Sequence, residues 1–437
     1  MFFWSSLFGS DAASEHFHFG RFISYKKSSL QQAQYQESKK AFSEQRCIEG
    51  YEHYFNYLCF YDAAQECTNI SYSKDENTLN FKLIQGSAII QGSITQRRMS
   101  AHVNIALMPK ENISVMRRLL EKNFLYTYSS FFLDEDTLKV KICFDNISLS
   151  PQKVFFPLRE LAINADREKE LILDEFNDLE PLELDHIEVM DTHLKETKLR
   201  FFREWIDKTE QKVLLLPTQE QSGAIAFVWI NLLFKIDYFV TPRGKLGYDI
   251  YEALQAYYLD DGKHIEEKND ALQKAVEKLK ELDTSRLSKN LYCVKETFDI
   301  FNSEGLEEVH AFIEETLAKA VWYKEHRYEE IILPIYEYLG QYMLYNYGMN
   351  PCLRELVQLN VRLHNTDFYS ALGIESLYKN DKLRSKKISS LIRQSIHAYN
   401  EQYPYLHDFS PELNFSTNEK FHHSFFLALK NLNFSEL

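Results

Sequence analysis

Between residues 78 and 107 the apolar positions fall on every second residue, and from residue 192 onward no stretch keeps that period. In NTLNFKLIQG, Leu79, Phe81 and Leu83 alternate with Asn80 and Lys82. In RMSAHVNIAL, Met99, Ala101, Val103, Ile105 and Leu107 alternate with Ser100, His102 and Asn104. Successive side chains of a strand point to opposite faces, so a sustained period of two requires a sheet with one buried and one wet face. The spacing predicts three antiparallel strands between residues 68 and 107, the middle one in SAIIQGSIT (87–95). A further pair follows, a strand over 125–133 and TLKVKICF (137–144), joined by the turn Asp134-Glu135-Asp136. In the second of these, Leu138, Val140, Ile142 and Phe144 point one way and Lys139, Lys141 and Cys143 the other.

Helical periodicity brackets these strands. Residues 29–60 read as a helical hairpin broken near Arg46–Cys47. Asn112 precedes a helix over 113–122 whose stripe is Val115, Met116, Leu119 and Leu120. That stripe is expected to dock on Val103, Ile105, Val140 and Ile142, with Asn123-Phe124 leading straight into the next strand. Ser100, His102, Asn104, Lys139 and Lys141 then form a second, polar face, too polar to be another core. Ser150-Pro151, an N-cap followed by an N1 proline, opens a helix to about residue 180.

The order is helix, three strands, helix, two strands, helix. With MRRLLEKN entering FFLDEDTLKVKICF, and PLRELAINADREKELIL after it, residues 45–180 resemble the type III secretion chaperone-like and YbjN-like α+β domains. The resemblance implies an antiparallel sheet with helices on one face, and a role in holding another protein without chemistry.

Beyond residue 192 the chain reads as helices throughout, including LSKNLYCVKETFDIF, with breaks at Pro217, Gly262, Gly305 and Gly373. The expected layout is an N-terminal arm (1–28), an α+β domain with an antiparallel sheet (29–185), and a larger all-α helical domain (192–437). Charge separates the same parts. Residues 1–165 hold 18 Lys+Arg and 17 Asp+Glu, so the remainder carries −15 of the formal −14. Eleven acids crowd into 165–191, and LEPLELDHIEVMD (179–191) reads as a surface connection. No basic patch follows, which argues against nucleic acid as a partner.

The apolar run AIAFVWINLLF (224–234) is shorter than the ~20 residues that span a bilayer, so it reads as a buried helix with no membrane span. The six cysteines form no CxxC pair, and reduced thiols in a cytoplasmic protein are expected. Phosphate-cradling and nucleophile-elbow motifs are absent, and no cofactor is implied. Glu stands three residues before His at Glu15/His18, Glu183/His186, Glu307/His310 and Glu419/His422, the pairing used in di-iron helical bundles. Glu307 and His310, with Glu314 on the same helix face, are the one candidate metal set in a strongly helical stretch. The other histidines read as ordinary: His16 and His18 in the arm, His422 and His423 on a helix surface. Tyr338, Tyr342 and Tyr345 share one helix face, and core packing explains them better than a ligand site. These features describe a non-enzymatic protein-binding, adaptor or chaperone-like protein with a protein or peptide partner, homodimerisation left open. The alternative is a metal-binding enzyme centred on Glu307 and His310.

Overall fold

The computed structural model describes residues 19–20, 27–62, 64–216, 222–259, 262–298 and 305–435. Two helices, α1 (Ser29–Ser43) and α2 (Cys47–Leu58), precede four strands: β1 (Ile70–Lys74), β2 (Thr78–Gly86), β3 (Ala88–Thr95) and β4 (Arg98–Leu107). After α3 (Ile113–Asn123) come β5 (Ser130–Asp134), β6 (Thr137–Asp145), the long α4 (Pro151–Glu175) and the short β7 (Glu180–Pro181). The strands form an antiparallel sheet in the order β1-β2-β3-β4-β6-β5, with β7 paired to the end of β4. Four strands, not three, therefore lie before α3. The extra strand, ISYSK, sits on the edge beside β2 and is too short to show an alternating pattern.

The alternation assigns the faces correctly as far as Ile105; there the pairing of β4 with β6 shifts register, and Ala106 is buried in place of the expected Leu107. Leu79, Leu83, Ile90, Met99, Val103, Ile105, Val140 and Ile142 are almost wholly buried, under α2 and α4. α4 is the helix that crosses the sheet, packing on β2, β3, β4 and β6, whereas α3 packs beside β5 at the sheet's edge. That placement corrects the expected docking of α3. Val115 and Leu119 are buried, but Leu120 is 59% exposed, because a helix at an edge buries only a narrow strip of its surface. The link from α3 to β5 is also longer than Asn123-Phe124. Residues 124–129 make it, and the Glu160 carboxylate accepts the backbone N–H groups of Thr127, Tyr128 and Ser129.

The remaining helices are α5 (Thr192–Leu214), α6 (Ser222–Lys235), α7 (Gly244–Leu259), α8 (Ile265–Glu281), α9 (Thr284–Lys289), α10 (Leu306–Glu325), α11 (Glu329–Asn346), α12 (Pro351–His364), α13 (Thr366–Ala371), α14 (Ser385–Tyr399) and α15 (Asn418–Lys430). α6 runs on past the apolar stretch, as the helical reading of AIAFVWINLLFKIDYFV expects. It continues as a π-helical turn, Ile236–Val240, closed by Thr241 in the left-handed region at φ 52°. The resulting span Ser222–Val240 is long and apolar enough to cross a membrane, but 83% of its most apolar window is buried inside the protein.

Two further expectations fail here. LSKNLYCVKETFDIF is not one helix: α9 ends at Lys289, and the chain then extends into β8 (Lys295–Glu296), which pairs with Gln85 and Gly86 of β2. The Gln85 side-chain oxygen accepts the N–H groups of Thr297 and Phe298, a pull on the backbone that helical periodicity does not register. A small hairpin, β9 (Tyr378–Lys379) with β10 (Lys382–Leu383), is a second strand pair within the helical stretch. Cys59 and Cys67 are disulfide-bonded, against the expectation of reduced thiols, because α2 and the approach to β1 bring their Cα atoms to 5.4 Å.

Among the described residues the buried apolar side chains form two cores, and each takes one residue from the other's stretch of chain. Phe298 lies in the sheet's core, packed edge-on against Phe155. Phe19 lies in the helical core against Phe239, Phe368 and Tyr369, and the Gly20 N–H donates to the Tyr238 carbonyl at 2.7 Å. At this point the expected arm is docked; Glu15, His16 and His18 lie outside the described residues.

A buried ionic seam joins the two regions. Arg243, just before α7, donates to both oxygens of Asp166 at 2.9 and 2.7 Å, to Glu170 at 2.9 Å, and to Glu296. Asp166 also accepts the N–H and hydroxyl of Ser87 at 2.6 and 2.9 Å, which clamps the β2–β3 turn. Gly86 in that turn has φ +57°, and a Cβ there would meet the Asp166 carboxylate at 2.1 Å. Burial disfavours the charge on Arg243, but Asp166, Glu170 and Glu296 together hold its pKa well above the ordinary value. Burial raises the Glu170 pKa despite Arg243, and Asp166 adds to the rise.

Candidate functional site

The candidate metal residues do not converge. Glu307 and Glu314 are exposed on α10, and Glu314 pairs with Lys430 of α15 at 3.3 Å. Partial burial, with Lys430 nearby, lowers the His310 pKa. Among the described residues no group of three or more His, Cys, Asp or Glu side chains is placed to hold a metal ion. Glu183 and His186 lie apart in role: Glu183 accepts from Gln91 and Asn104 at 2.6 and 3.0 Å, while His186 meets the Gly86 carbonyl at 3.0 Å. The acidic connection thus crosses one end of the polar sheet face. The rest of that face is a shallow recess of about 530 Å³ lined by Asn80, Lys82, Gln91, Ser100 and His102.

At the far edge of the sheet, α3 carries a second apolar stripe pointing outward. Ile113, Leu120 and Phe124 are 76%, 59% and 89% exposed, and Leu125 beside them is 74% exposed. Spacings of seven and four put the first three on one side of the helix. Exposed Arg117 and Glu121 lie along the same side. Asn123 at the end of α3 exchanges two hydrogen bonds with the backbone of Phe131, at 2.6 and 3.1 Å, so the outer edge of β5 is closed there. Side-chain packing, not strand addition, is what this edge offers.

The helical region buries a polar network that sequence reasoning missed. Glu337 of α11 accepts from Asn231 of α6 at 2.8 Å and from Asn365 at 2.9 Å, and pairs with Lys235 at 2.8 Å. The Lys235 ammonium also lies 5.5 Å from the Trp205 ring. Below it, the rings of His364 and His422 stack at 3.9 Å, and Asn360 donates to His422 Nδ1 at 3.1 Å. His422 is buried, not on a helix surface. Burial, then the nearby Lys235 charge, lowers the His364 pKa to about 3; burial, then His364, lowers that of His422 well below the usual imidazole range. Both rings are neutral near pH 7. A signal for part of this network was present: Asn231 and Glu337 interrupt otherwise apolar runs, and a polar group inside a core needs a partner. Tyr338, Tyr342 and Tyr345 pack with Phe234 in the core, and Tyr338 shares a hydrogen bond with Tyr258 at 3.1 Å.

This network floors a cleft of about 620 Å³ between α5, the α12–α13 junction and the β9–β10 hairpin. Lys235, His364 and the exposed Lys208 are among its lining residues, and His364 Nε2 is buried without a hydrogen-bond partner. The π turn begins directly after Lys235 and fixes where α6 delivers that ammonium; such turns are frequent at functional sites.

No protein-family model matches the chain, and no curated protein matches it in sequence.

Proposed function

We propose that the chain is a non-enzymatic protein-binding module that docks through the outward stripe of α3. The observation that carries this reading is the double-sided helix: Val115 and Leu119 satisfy the core, while Ile113, Leu120, Phe124 and Leu125 hold apolar surface in water. Contiguous exposed apolar surface is costly to a solitary chain and is typical of contact sites. The element order, which resembles that of secretion chaperone-like and YbjN-like domains, supports the same reading. A second copy of this chain fits the stripe. Arg117 and Glu121, one turn apart, allow two α3 helices related by a two-fold axis to pair opposite charges while their apolar residues meet.

Light scattering across a dilution series tests this. The wild type is expected to dimerise, and Leu120→Glu with Phe124→Glu to give monomers with an unchanged melting temperature. A wild type that is monomeric at every concentration, or a double variant that still dimerises, would overturn the reading.

A further inference from the structure

The outer face of the β9–β10 hairpin carries an inference independent of α3. Residues 379–393 hold Lys379, Lys382, Arg384, Lys386, Lys387 and Arg393 against a single acid, Asp381, in a chain of formal charge −14. Charge totals over long regions conceal this basic stretch, which corrects the expectation that none follows the acidic connection.

The stretch sets like charges together. Lys379 and Lys382 are direct cross-strand partners in the hairpin. Like charges opposite one another weaken a strand pair. The turn between them, Asn380-Asp381, has φ of 49° and 58°, the left-handed geometry of a two-residue hairpin turn, reached here without glycine. Side chains alternate along a strand, and the neighbouring pair, Tyr378 and Leu383, packs against the helical core. Lys379 and Lys382 therefore project from the other face, away from the cleft that Tyr378, Asn380 and Asp381 line. The start of α14 repeats the misfit. Its first turn holds Lys386 and Lys387 and no acid, at the helix end where the macrodipole favours negative charge. Glu375 takes up Lys387 and Arg384. Lys379, Lys382 and Lys386 are exposed, and among the described residues none of the three has an ion-pair or hydrogen-bond partner. Lys386 follows Lys382 closely enough in the chain to keep their Cα atoms within ~14 Å. Three uncompensated ammonium groups thus share one outward patch, and an anionic partner would relieve their repulsion.

Number and spacing select the anion. Directly opposed side chains stand about 5 Å apart at Cβ, and alternate residues of an extended chain ~6.6 Å apart. Carboxylates two residues apart on a peptide can therefore meet both hairpin lysines. A nucleic-acid grip uses roughly 6–10 phosphate contacts, more than three ammonium groups supply. The −14 of the whole chain also repels a long polyanion. Between residues 377 and 393 no large apolar side chain is exposed, so the patch lacks an anchor for lipid.

We propose that Lys379, Lys382 and Lys386 form a docking site for an acidic segment of a protein partner, bound extended with carboxylates at alternate positions.

Fluorescence anisotropy on the full chain, with a dye-labelled Glu-Ser-Glu-Ser-Glu peptide as probe, tests the proposal. Saturable binding is expected at low salt, weakening as salt rises, with none for the Gln-Ser-Gln-Ser-Gln counterpart. Lys379→Gln with Lys382→Gln is expected to weaken binding about fivefold or more. The same double variant should keep or raise the melting temperature, because it removes the opposed charges. Failure of the acidic peptide to bind, or binding that the double variant leaves unchanged, would overturn the proposal. A lower melting temperature in that variant would do the same, since the lysines would then serve the fold. So would tighter binding of an oligouridylate or of phosphatidylserine vesicles than of the peptide, which would mark a nucleic-acid or membrane site.

Discussion

Along β4, Ser100, His102 and Asn104 stand on one side of the sheet while Met99, Val103 and Ile105 fill the other. The helical region does the reverse: Asn231, Glu337, Asn360 and Asn365 lie inside it, bonded to one another or to buried histidines. A pleated sheet can discard its polar residues to one face at no cost in core volume. A bundle of helices packed on all sides has no such face, so any polar residue on a central helix must find its partners within. Open-face residues of the sheet such as Lys82 are thus exchangeable, whereas the polar groups inside the helical region are bound to particular neighbours.

The sharpest break of that contrast is Val140→Asp, which buries an unpaired charge in the middle of the sheet. It should cost about 5 kcal/mol and unfold the sheet region, whereas Lys82→Asp on the open face should stay within about 0.5 kcal/mol. Similar melting curves for the two variants would mean the faces are misassigned. Next comes the seam. Arg243→Ala leaves three buried carboxylates facing one another and should cost about 3–5 kcal/mol. Calorimetry should then resolve the sheet melting apart from the helices; one wild-type-like transition would deny Arg243 that role. The smallest effect is a pH dependence. His364 folded has a pKa of about 3 against an ordinary 6.5, so between those values the unfolded chain binds more protons, and stability falls as pH falls. His364→Gln should flatten part of the wild-type loss of melting temperature across that window, and identical pH profiles would count against a neutral buried ring.

The same contrast explains what could be read from the residues. Val140 was assignable because a period of two names a face, and a one-residue slip would expose the whole row. Leu120 was not, because a helical stripe shows which residues adjoin, not how wide a strip its neighbour covers. β1 and β8 escaped notice because five and two residues are too few to display a period. His422 read as surface because its partner, His364, lies on another helix and leaves no local trace. Cys59 and Cys67 gave no motif, since their meeting depends on how α2 turns toward β1. Of the cleft, only the misplaced polarity of Asn231 and Glu337 was visible beforehand.

The exchange of Phe19 and Phe298 between the two cores also bears on how the protein is made. A chain leaving the ribosome presents its N-terminal end first, and domains tend to fold in that order. Here the sheet can assemble early, but its interior keeps a vacancy and the end of β2 keeps an unpaired margin until the stretch after α9 has been synthesised. Phe19 waits longer, since Phe368 and Tyr369 come still later. Translation that stops between these points yields a nascent product with a gap in its core and a bare strand margin, a form that chaperones and proteases can distinguish from the finished molecule.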